Sequence, residues 1–147
     1  MVEWGRAFDC PIFIHSCNRP WVMRPDPSIR FWDGETMELA SGITLIHCGG
    51  HFPGSTVLHH DRDGGEMFTG DTFHVNPDHR SVGMMYSFPN YIPVSAEVVR
   101  RATRAIEPFV FRRIYGQWWD AVICSSGKEI VRNSAERYID AIQGKYD

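Results

Sequence analysis

No apolar run in this sequence approaches the roughly 18–20 residues that a membrane-crossing helix needs, so no membrane span is expected. No C-x-x-C pair occurs either. The four cysteines, Cys10, Cys17, Cys48 and Cys124, lack the spacing of a zinc finger, and in a chain read as cytosolic they are expected to be reduced and buried. Charge of one sign is scarce: the formal net charge is −3 with acidic and basic residues interspersed, which gives no electrostatic reason to expect nucleic acid as a partner. No charged-then-apolar leader with a small-residue cleavage site opens the sequence, and a cytoplasmic location follows as the expectation. Repeats, charge blocks and low-complexity linkers are missing too.

What is there suits a folded domain. A hydrophobic content of 43% with 13% aromatics is too high for a disordered chain, and 147 residues are enough to bury a core, so residues 1–147 read as a single domain.

The most informative stretch is Cys48-Gly49-Gly50-His51-Phe52-Pro53-Gly54-Ser55-Thr56, answered by Phe68-Thr69-Gly70-Asp71-Thr72. Residues 43–48 are β-branched and apolar and read as a strand, and Gly49-Gly50 lets the backbone turn sharply enough to present His51 at its end. Pro53-Gly54 closes a turn, residues 55–60 form the next strand, and the polar turn Asp61-Arg62-Asp63-Gly64-Gly65 returns residues 66–69 as a third strand that stops at Gly70. Asp71 then falls beyond a strand end, where antiparallel pairing can bring it to the edge that carries His51. An imidazole and a carboxylate converging there suit zinc, with iron or manganese as the next choices. On spacing alone, a histidine after two glycines also reads as a turn residue, and Gly-Asp after a strand as a helix cap or turn.

Gly50-His51-Phe52-Pro53-Gly54-Ser55, a strand hairpin and then Thr69-Gly70-Asp71-Thr72 together resemble the middle of the metallo-β-lactamase superfamily. The resemblance runs from the strand near Ile12 to the last helix. It implies that His51 and Asp71 are metal ligands, the aspartate often bridging two ions, and that the activity is metal-assisted hydrolysis. The superfamily's opening His-x-His-x-Asp-His cluster has no counterpart in residues 1–147, and its late histidine is missing, since no histidine follows His79 and the matching region reads Arg113-Ile114-Tyr115-Gly116-Gln117-Trp118-Trp119. The chain is therefore expected to be N-terminally shortened, with an exposed strand edge or an uncovered apolar face near residues 10–15.

Elsewhere the reading is structural. Residues 1–9 resemble the end of a helix, residues 10–15 a strand and residues 18–23 a helical turn or loop. Asp26-Pro27-Ser28 breaks the chain, and residues 35–39 alternate as a half-buried strand. Residues 73–93 read as a long irregular connection of the kind used for binding loops, whose aromatic and methionine side chains fill the core or shape an apolar pocket. His74 and His79 in it are available as substitute ligands, although loop histidines are more often solvated. Cys48 reads as a core cysteine rather than a support for His51.

Ser95 is placed to cap a helix running to about Glu107 with Val98, Ala102 and Ile106 on one stripe, ended by Pro108. Residues 109–115 read as a strand, residues 118–123 as a short strand or edge, and Ser126-Gly127-Lys128-Glu129 as a capping box. A final helix follows, burying Ile130, Val131, Ala135, Tyr138, Ile139 and Ile142 and stopped by Gly144.

The expected fold is α/β, a partial αββα sandwich with a mixed or antiparallel sheet and helices packed on its outer face. The expected function is metal-dependent hydrolysis of a small-molecule ester, amide, thioester or phosphoester. The alternative is a degenerate, non-catalytic scaffold. Apolar surface left by an incomplete domain leads to a homodimer as the expected assembly.

Overall fold

The structure is a computed structural model that describes residues 1–146. Helix α1 (Val2–Ala7) leads into strand β1 (Ile12–His15), a 3-10 turn (Ser16–Trp21) and strand β2 (Ile29–Trp32). Then come β3 (Thr36–Ala40), β4 (Ile43–His47), β5 (Thr56–His60) and β6 (Glu66–Gly70), joined as an antiparallel meander. Four short strands follow, β7 (His74–Val75), β8 (Val82–Gly83), β9 (Met85–Ser87) and β10 (Ile92–Pro93). Helix α2 (Ala96–Ile106), β11 (Arg113–Gly116), β12 (Val122–Ile123) and helix α3 (Gly127–Ile142) complete the chain.

The main sheet has six strands in the order β12-β11-β6-β5-β4-β3, mixed because β11 runs parallel to β6. Register decides what each face carries. Ile46 faces Val57, and Ile114 lies between Met67 and Ile123, so these five fall on one face and are all buried. Val99, Ala102 and Ile106 of α2 and Val131 and Ala135 of α3 join them in one core. One residue along each strand, Leu45, Leu58, Phe68, Tyr115 and Val122 make a cross-strand row on the opposite face. Phe68 and Tyr115 stack there at 4.9 Å, yet Phe68 remains 42% exposed because neither α2 nor α3 packs on that side. The architecture is thus the α/β class expected, a main sheet with α2 and α3 on one face. Among the described residues, no helix is long and apolar enough to cross a membrane.

Near the N-terminus, β1 pairs in parallel with β2 in a separate two-stranded sheet, and Trp4, Phe8, Phe13, Trp21 and Met23 are exposed around it.

Several local expectations are corrected. Residues 109–112 are not strand: the ladder starts where Arg113 meets Glu66, and upstream of Glu66 the left-handed Gly64 and Gly65 offer no partner strand. The capping box does not form. Ser126 sits at φ 56° with its hydroxyl uncommitted, and the first helical N–H groups go instead to Arg112 O and Phe111 O. Ile142 lies past the core and is 39% exposed. Cys10 and Cys124 are exposed in connections between elements and Cys17 is exposed in the 3-10 turn, so only Cys48 is buried; all four are free. Strand β2 was not foreseen, and the irregular connection 73–93 holds two small hairpins with strands of two or three residues, too short for a period to register.

Candidate metal centre

The two motifs reach the same sheet end by simple geometry. β4 runs toward His47 and β6 toward Gly70, with β5 antiparallel between them, so the residues after β4 and after β6 leave the sheet at one edge. Gly49 and Gly50 take φ of 68° and 108°, and a Cβ on Gly49 would stand 2.3 Å from the Arg101 guanidinium, so the turn that presents His51 needs glycine there. A second tie fixes the far side of the turn, where the Gly54 N–H donates to Asn18 Oδ1 at 2.7 Å.

His51 is half-buried. Its Nδ1 donates to the Met85 carbonyl at 3.1 Å, which leaves the Nε2 lone pair available. Its ring lies 5.4 Å from that of Phe88, and Phe88 lies 5.1 Å from His74. Beyond Phe88 is a cavity of about 510 Å³ lined by Asp71, His74, Phe88, Gln117 and Trp118. Asp71 is exposed at its mouth. Burial holds the His74 imidazole below its ordinary pKa, opposed by the negative charge of Asp71.

Gln117, which the sequence brings into the region of the missing late histidine, touches His74 Nδ1 through its side-chain amide. Its Oε1 is buried without a hydrogen-bond partner among the described residues. With the amide turned over, that oxygen would accept from His74 Nδ1–H and leave His74 Nε2 as a donor atom for a ligand. Sequence reasoning passed Gln117 over because a lone glutamine carries no metal signal. His79, the other substitute considered, bonds the Val122 carbonyl at 3.0 Å and is not among the residues lining this cavity. Cys48 is 1% exposed in the core, and burial pushes its thiol up to about 12.

The side chains at this edge fit a metal ion in type: one imidazole with its second nitrogen anchored on a carbonyl, one carboxylate, and an orphaned buried amide oxygen beside a further imidazole. Among the described residues, the one group of three or more metal-capable side chains with all donor atoms within 4.8 Å of one another is a different set, His15, Cys17 and His47.

A six-stranded mixed main sheet, α2 and α3 on one of its faces and His and Asp turns leaving one sheet end define the class: the chain has the metallo-β-lactamase fold. Three solved structures carry that assignment. The DIM-1 metallo-β-lactamase, in a crystal exposed to ceftazidime, aligns with a TM-score of 0.58 at 12% identity, covering 92% of this chain and 60% of that one. A metallo-β-lactamase from Staphylococcus aureus subsp. aureus COL aligns at 0.57 and 14% identity, over 97% of this chain and 47% of that one. TTHA1623 in a di-iron-bound form aligns at 0.54 and 21% identity, over 78% and 60%. In sequence, the uncharacterised protein YmaE of Bacillus subtilis strain 168 is 40% identical over 147 residues. The alignment covers 98% of this chain and 53% of YmaE, so the chain spans about half the length of the curated relative it matches. No protein-family model matches the chain.

Proposed function

We propose that the protein is a metal-dependent hydrolase acting on a small molecule, with His51 and Asp71 as ligands of its metal. The observation that carries this reading is that the turns bearing His51 and Asp71 leave the sheet at the same end, Phe88 packing against His51 and lining the cavity that Asp71 borders, in a fold shared with metallo-β-lactamases and a di-iron protein. A bound zinc ion, or iron or manganese, would supply Lewis-acid activation of water and of an ester, amide, thioester or phosphoester bond.

The chain's own residues supply the rest. The Met85 carbonyl holds His51 in the tautomer whose Nε2 binds, and Asp71 contributes the negative charge that offsets a cation. His74, kept neutral by burial, accepts or returns a proton at Nε2 once the Gln117 amide holds its Nδ1. Phe88 and Trp118 form the apolar part of a cavity of about 510 Å³, a volume that suits a small molecule rather than a polymer.

The test is elemental analysis of the purified chain beside an Asp71→Ala variant. Near-stoichiometric metal that the variant loses supports the hydrolase. A protein that holds none, or holds as much without Asp71, is better described as a scaffold that kept the fold without its chemistry.

A further inference from the structure

His15 ends β1 and His47 ends β4, and the fold brings the two rings into a parallel stack with centroids 3.7 Å apart. Cys17, in the 3-10 turn directly after β1, completes a trio whose donor atoms all lie within 4.8 Å of one another. We propose that His15, Cys17 and His47 form a metal site built from residues other than His51 and Asp71, taking zinc through one thiolate and two imidazoles.

The hydrogen bonds set up the donors. His15 Nε2 donates to the Gly34 carbonyl at 3.1 Å, and His47 Nε2 donates to the Pro53 carbonyl at 2.8 Å. Each imidazole therefore has its proton on Nε2 and its lone pair on Nδ1, the outer-shell arrangement that fixes ligating histidines. The His15 lone pair meets only the Cys17 backbone N–H, at a long 3.3 Å. His15 is buried, His47 half-buried and Cys17 exposed, so the site has a rigid inner ligand and an outer one open to solvent.

Face-to-face rings do not aim two in-plane lone pairs at one ion, so loading tilts one of them. His47 has the room: it borders a cavity of about 530 Å³ lined also by Glu35, Arg101, Arg104 and Phe109. Glu35 and Arg101 face His47 with opposite charges, the carboxylate favouring a cation and the guanidinium opposing it. One thiolate and two imidazoles are a borderline-soft set that matches zinc, with the fourth tetrahedral position left to water. Binding deprotonates Cys17 and releases its proton to solvent.

Cobalt(II) titration of the full chain, followed by zinc, tests the site without any assay of hydrolysis. The expected result is a thiolate-to-cobalt charge-transfer band that saturates as cobalt is added and is bleached by zinc. It should be lost in Cys17→Ser and in His47→Gln, and retained in Asp71→Asn, since the His51 and Asp71 edge contains no accessible thiol. Absence of the band in the unaltered protein overturns the site, and so does its persistence in Cys17→Ser. Far-ultraviolet circular dichroism of each variant confirms that a lost band is a lost ligand and not a lost fold; should His47→Gln unfold, the exposed Cys17 variant decides alone.

Discussion

The Nδ1 of His51 meets the backbone carbonyl of Met85 at 3.1 Å, and this bond ties the turn after β4 to strand β9, which stands well apart from it in sequence. A carbonyl can only accept, so the contact places the ring proton on Nδ1 and leaves the Nε2 lone pair free. On the proposed function, replacing His51 by alanine should abolish any metal-dependent hydrolysis while shifting the melting temperature little, because the ring is half-buried and makes one backbone bond. Hydrolysis of a panel of chromogenic esters, thioesters and β-lactams, beside thermal melts, checks both halves; activity equal to that of the parent would remove His51 from the site.

Gly65 is where the sheet can least accept a side chain. At φ 85° a Cβ would stand 2.0 Å from the Val110 carbonyl oxygen, and the Gly65 carbonyl itself accepts from the N–H groups of Arg112 and Arg113. Gly65→Ala combines left-handed strain with a backbone clash and should cost about 2–4 kcal/mol. Denaturant titration reads this directly. A loss below about 0.5 kcal/mol, the range of ordinary surface substitutions, would mean that the turn and the 109–112 segment separate easily.

Ser134 of α3 holds the buried end of β8. Its hydroxyl accepts from the Val82 N–H at 3.1 Å, and both residues are almost fully buried. Ser134→Ala strands that donor, for a loss of about 1–3 kcal/mol. Hydrogen exchange at the Val82 amide should quicken in the variant more than at the β4 and β5 amides; uniform quickening would point to general destabilisation.

Acid sensitivity should include a contribution from Asp26. Its carboxylate accepts from the Ser28 N–H and hydroxyl and from Arg6 at 2.6 Å, which together hold its pKa down at about 2. A depressed carboxyl stabilises the fold fully above its ordinary value of about 3.9 and loses that contribution as pH falls toward 2. The melting temperature of Asp26→Asn should therefore vary less than that of the parent between those pH values, and equal slopes would show that the Arg6 and Ser28 bonds do not persist in solution.

Much of the candidate site was legible because its signals are local. Glycine pairs before His51, the Pro53-Gly54 turn and Gly70 ahead of Asp71 announce strand ends by backbone chemistry, and β3 to β6 fall within a residue or two of where their apolar patterns put them. The parts that were missed depend on partners distant in sequence. Residues 109–112 look like a strand but have nothing to pair with, and Ser126 has the spacing of a cap but is held left-handed while Arg112 and Phe111 carbonyls take its place. Gln117, just past β11, gains meaning only from His74 of β7, far from it in sequence.

The sequence by itself determined the α/β class, the meander that delivers His51 and Asp71 to one edge, and the amphipathic faces of α2 and α3, since all of these follow from turn chemistry and side-chain period over a few residues. Tertiary structure alone decided that Phe88 packs against both His51 and His74, that Cys17 meets His15 and His47, and that the row from Leu45 to Val122 faces away from the helices. Each of these is a relation between side chains carried by separate elements. Local propensity is blind to such pairs, because they exist only once the hydrophobic core has closed around Ile46, Met67 and Ile114 and set the elements against one another.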